Sequence, residues 1–84
     1  MRNHTILCGV GRTGQSALKE LWREKVPVVV VEKDEGKIEE VKQNFPGIVY
    51  IHGDATQDEV LIKAGVKTAN NLIVATANDA ENLF

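Results

Sequence analysis

Val28-Val29-Val30-Val31 places four β-branched apolar residues in a row, and this run limits the fold more than any other feature. A strand with one wet face alternates apolar and polar side chains. An unbroken apolar strand belongs to a sheet covered on both faces, as parallel sheets are. Pro27 can open such a strand without its missing amide, and Glu32 closes it. The chain has 84 residues, 43% of them hydrophobic, enough for one thin core but not for two domains. The cover for the valines therefore has to come from helices of the same chain.

Those helices are legible on either side. Thr5-Ile6-Leu7-Cys8 reads as a first buried strand ended by Gly9. Ala17, Leu18, Leu21 and Trp22 then recur at helical spacing between polar residues, which predicts an amphipathic helix over 14–25. After the valine strand, Asp34 is a fitting helix cap, Ile38 and Val41 supply an apolar stripe, and Pro46-Gly47 stops the segment. Residues 48–51 predict a third strand. A short helix over 59–64 follows, with Val60, Leu61 and Ala64 inward and Gly65 at its end. Leu72-Ile73-Val74-Ala75 marks a fourth strand, and residues 78–84 look like the opening turns of another helix. Strands alternating with helices imply right-handed βαβ units, so the expected fold is α/β, a Rossmann-like parallel sheet of order 3-2-1-4 with flanking helices, ending just after its fourth strand.

Charge and cysteine content remove several function classes. Ten basic residues against twelve acidic give a net charge of -2, without the basic patch of a nucleic-acid binder. The single cysteine cannot form an internal disulfide, and no secretion signal is visible, so a cytoplasmic location is expected. The longest apolar run, residues 26–31, is far below the ~20 needed to span a bilayer. Cys8 reads as a small core residue with no neighbouring base to activate it. His4 and His52 lack a second ligand at metal-binding spacing. Trp22 is most simply core or interface, and Tyr50 has no partner that would make it an acid or base.

The chemistry gathers at the strand ends. Gly9-Val10-Gly11-Arg12-Thr13-Gly14 matches G-x-G-x-x-G between a predicted strand and a predicted helix, the context that gives this pattern meaning. Gly9 permits the turn, Gly11 lets backbone amides approach a pyrophosphate, and Gly14 allows close helix–strand packing. The helix start adds unpaired amides and a positive dipole end; without a ligand, the same segment is simply a glycine-rich turn. Arg12 is placed to meet a phosphate, or else is a loop charge. Glu32 follows Gly14 by 18 positions, near the ~20 expected of a ribose-binding acid. Its carboxylate would accept from both ribose hydroxyls and disfavour a 2'-phosphate; otherwise it is a solvated strand end. Lys33 beside it is a second candidate or a surface charge. His52-Gly53-Asp54-Ala55-Thr56 falls on the same sheet edge, where Asp54 can accept from an adenine amino group or cap the next helix with Thr56. Thr76 closes the fourth strand at that edge, among small residues that let backbone approach a dinucleotide, whereas Asp79 and Asn82 read as ordinary helix-start residues.

With GVGRTG, Glu32, GDAT and the later AGV and ATAND in this order, the chain resembles the amino-terminal lobe of RCK domains, regulators of K+ conductance also called TrkA-N or KTN domains. The likeness covers essentially the whole chain, and Gly53 to Thr56 with Leu61 to Val66 carry more of it than the glycine loop, which many dehydrogenases share. The resemblance implies a lobe that binds NAD(H), ATP, ADP or AMP, or in some members a divalent cation, and controls a potassium channel or transporter without catalysing a reaction. It also implies that Gly9, Gly11, Arg12 and Gly14 hold phosphates, that Glu32 holds the ribose and that Asp54 and Ala55 border the adenine. Val10, Thr13, Lys33 and Thr76 complete the expected site. No metal ligand is assigned.

A lobe of this family normally has six strands, so residues 1–84 read as one lobe cut from a longer chain. Residues 2–4 are similar to the junction after a pore helix. The implied partner is a membrane-embedded channel or transporter subunit at the inner membrane face, with homo-oligomer formation. An apolar fourth strand left as an edge would itself invite self-association. The rival readings are the NAD-binding half of a dehydrogenase or reductase and an oligomerisation module without ligand.

Overall fold

The computed structural model describes residues 2–75. Thr76, the residues around Asp79 and Asn82, and the expected final helix lie outside the described residues. The elements are β1 Thr5–Cys8, α1 Arg12–Arg23, β2 Val28–Glu32, α2 Glu35–Asn44, β3 Val49–His52, α3 Asp58–Lys63 and β4 Asn71–Val74. All pairings are parallel and the order is β3-β2-β1-β4, as the alternation of strands and helices required.

The two central strands explain why the sheet needs helices on both sides. Every residue of β1 and β2 is buried. Leu7, Val28 and Val30 join Leu18 of α1 with Val41 and Phe45 of the α2 segment in one cluster. Ile6, Cys8, Val29 and Val31 join Ala64 in the other, with Val60 and Leu61 of α3 packed against it. The period-two alternation of each strand thus feeds two cores, and each fully buried valine contributes roughly 1.5 to 3 kcal/mol. Burial also pushes the Cys8 thiol up from its ordinary value, in keeping with a core residue. The outer strands differ: Val49 and Tyr50 of β3 and Leu72 and Val74 of β4 are exposed.

Boundaries shift modestly from the sequence reading. α1 begins at Arg12 rather than Gly14, because Gly11 takes an extended conformation and serves as the cap. Trp22 does not enter the core. It stays 40% exposed and meets Phe45 edge-on, ring centroids 5.5 Å apart. His4 is fully buried and its Nε2 lies 2.7 Å from the Ala64 carbonyl. A carbonyl only accepts, so Nε2 carries the proton, and the start of β1 is tied to the end of α3.

Two glycines fix the path from β1 into α1. Gly9 turns with φ 97°, a region that costs a side chain dearly. Gly14 is buried, and a β-carbon there would collide with the Gly9 carbonyl, approaching its carbon to 2.7 Å. Backbone cannot yield as a flexible side chain can. Gly14→Ala is therefore expected to destabilise the chain by about 2 kcal/mol or more and lower its melting midpoint by about 10 °C, measured by thermal and urea denaturation.

Candidate functional site

Because all four strands run the same way, their carboxyl ends share one edge, and a crevice of about 320 Å³ opens there. Gly9 and Gly11 of the glycine loop line it, along with Glu32 and Lys33 after β2 and Gly53 through Thr56 after β3. Ala75 after β4 also lines it. Stretches that follow each of the four strands meet here because the parallel sheet brings them to one place.

The glycine loop is held open by a carboxylate. Glu32 is 7% exposed. Its Oε1 accepts from the Val10 amide at 2.8 Å and its Oε2 accepts from the Asp34 amide at 2.9 Å. The side chain joins the loop after β1 to the loop after β2, and it is not a solvated strand end. A carboxylate has about four lone-pair sites, so two bonds to backbone leave capacity for ribose hydroxyls. The Gly9 amide donates to the Val31 carbonyl at 2.9 Å and the Gly53 amide to the Glu32 carbonyl at 3.0 Å, so the sheet's pairing continues into the rim of the crevice.

The two long helices treat their N-termini differently. In α2 the Asp34 side chain accepts from the Lys37 amide, and Glu35 stands in the first turn. In α1 the cap is Gly11, which has no side chain to offer, and the first turn has no acidic residue. Among the described residues, the amides of Arg12, Thr13 and Gly14 have no hydrogen-bond acceptor. Such a terminus favours an anion through its free N–H groups and its dipole.

Asp54 does not cap α3 as one expectation had it, and closes a local turn instead. Its Oδ1 accepts from the Thr56 amide at 2.8 Å and from the Thr56 hydroxyl at 2.7 Å. The Thr56 hydroxyl and then its amide hold the Asp54 carboxyl below the usual aspartate range, with Lys33 adding a weaker pull. This is a self-closed turn ahead of α3, whose cap residue is Gln57. Asp54 still faces the crevice, as does Ala55. Lys33 lines it too, and its carbonyl lies 3.0 Å from His52 Nε2.

Of the residues expected from sequence, Gly9, Gly11, Glu32, Lys33, Asp54 and Ala55 line the crevice. Val10 is buried and acts through its amide, Gly14 lies beneath the loop, and Thr13 is exposed in the first turn of α1. Arg12 contributes to a different groove, between α1 and α2, with Gln15, Lys19 and Phe45. Sequence reasoning missed Lys37, which lines the crevice from α2. A lysine three residues after a helix cap, where acids are preferred, was the available signal. The described residues contain no group of three or more His, Cys, Asp or Glu arranged to hold a metal.

The bridging role of Glu32 is measurable without any ligand. Glu32→Ala leaves the buried Val10 amide without an acceptor, and a loss of about 1 to 3 kcal/mol is expected in urea denaturation of the ligand-free chain. A solvated strand-end residue would show no such loss.

Comparison with known proteins agrees with this architecture. The chain is 39% identical over 84 residues to potassium channel protein 1 of Methanocaldococcus jannaschii, covering all of this chain and 25% of that protein. It is 31% identical over 81 residues to a Trk system potassium uptake protein TrkA homolog of Pyrococcus horikoshii, covering 96% of this chain and 35% of that one. The chain thus spans about a quarter to a third of the length of these relatives. The crystal structure of the TrkA-N domain of inner membrane protein ybaL from Escherichia coli superposes with a TM-score of 0.83 at 28% identity, covering 98% of this chain and 59% of that one. The family model described as TrkA-N domain matches residues 5–84, and the chain belongs to the TrkA-N domain family.

Proposed function

We propose that this domain is a regulatory module of potassium transport, and that its crevice binds NAD(H) or an adenine nucleotide, ATP, ADP or AMP. The observation that carries the nucleotide reading is the pairing of an α1 N-terminus without a side-chain cap, at Gly11, with the Glu32 carboxylate across one crevice. The first fits a phosphate and the second fits ribose hydroxyls. Gly9, Gly11 and the α1 amides border the phosphates, Glu32 the ribose, and Asp54 and Ala55 the base. The names of the relatives, a potassium channel protein and a TrkA homolog, support a regulatory role over an enzymatic one. They also support a membrane-embedded channel or transporter subunit as partner, with the domain at the cytoplasmic face. No helix among the described residues is long and apolar enough to cross a membrane.

Regulation requires that occupancy favour one arrangement of lobes over another, since a ligand with equal affinity for both shifts nothing. Assembly between copies is part of the proposal.

One outcome is expected. NADH or one of the three adenine nucleotides at 100 times its Kd stabilises the chain by about 2.7 kcal/mol, raising the melting midpoint by roughly 10 °C or more, and Glu32→Ala removes most of that gain. Absence of a shift with all four ligands would refute the nucleotide reading.

A further inference from the structure

Lys37 stands where its own helix disfavours it. The first turn of a helix carries the positive end of the peptide dipole, and the third position after the cap is commonly Glu or Gln. In α2 the cap is Asp34 and that third position is Lys37. Its amide is bonded to Asp34 Oδ1 at 3.2 Å, but its ammonium has no hydrogen-bond or ion-pair partner among the described residues. The side chain is half-buried and borders the crevice. Its Nζ lies 3.8 Å from the place a β-carbon on Gly11 would occupy.

The other charges around the crevice are engaged by protein groups, more exposed than Lys37, or line another groove. Glu32 holds the Val10 and Asp34 amides. Asp54 holds Thr56. Lys33 is exposed, and Arg12 lines the groove between α1 and α2. Lys37 is thus the half-buried cation over the glycine loop, facing the α1 N-terminus that has no side-chain cap. A local preference broken without local compensation points to a functional constraint.

We propose that Lys37 is a specificity-determining residue of this site: its ammonium receives a phosphate group seated over Gly11, so that the crevice selects phosphorylated adenine nucleotides over adenosine. This rests on the nucleotide reading above and adds the cation that reads the phosphate. α1 supplies oriented amides from one side and α2 supplies the mobile charge from the other.

Calorimetric titration of the chain with ADP and with adenosine tests this. Lys37→Met keeps the aliphatic stem and removes the charge. It is expected to weaken ADP about tenfold, the size of one partly exposed charge-assisted bond, to leave adenosine affinity unchanged, and to flatten the salt dependence of ADP binding. Lys37→Arg should recover most of the ADP affinity. Lys19→Met removes the same charge from the α1–α2 groove and should alter neither ligand. Parental ADP affinity in Lys37→Met, or equal losses for ADP and adenosine, would overturn the proposal while leaving nucleotide binding intact. A parent chain that binds neither adenosine nor any of NADH, ATP, ADP and AMP would remove the nucleotide reading itself and the role of Lys37 with it.

Discussion

Two-sided burial of β1 and β2 is the constraint from which the rest of this domain follows. Neither strand has a polar face, so each must be covered above and below, and α1, α2 and α3 are placed accordingly. Parallel pairing is the arrangement that lets helices connect strands while covering them. It also aligns the carboxyl ends of the strands, and a crevice at that edge is the geometric by-product. The core that stabilises the fold therefore also sets the location of the site.

Within the crevice, one carboxylate does the organising. Glu32 takes two backbone amides from two loops, so the glycine loop and the entry to α2 are fixed relative to each other before any ligand arrives. Such preorganisation lowers the ordering cost of binding. The division of labour between helix ends follows the same logic. α2 is closed by Asp34, whereas α1 begins on a glycine and keeps its first amides free. An anion in the crevice meets free donors at one helix and a lysine at the other.

The chain belongs to the TrkA-N family and spans about a quarter to a third of the length of the relatives compared. Among the described residues, β3 and β4 carry exposed apolar side chains, and the start of β1 is tied to α3 through His4. α3 follows the Asp54–Thr56 turn at the crevice.

Much of this was readable from residues alone. The valine run, the helical stripe of Ala17, Leu18 and Leu21, and the glycine spacing determined the strand order and the edge on which the site lies, because periodicity and glycine geometry are local properties. Tertiary structure alone decided that Glu32 binds Val10 across 22 positions of sequence, that Arg12 lines the α1–α2 groove, and that Lys37 reaches the glycine loop. It also left Trp22 at the surface against Phe45. These contacts join elements distant in the chain, and their distances depend on how the helices settle on the sheet, a packing outcome that no local pattern encodes.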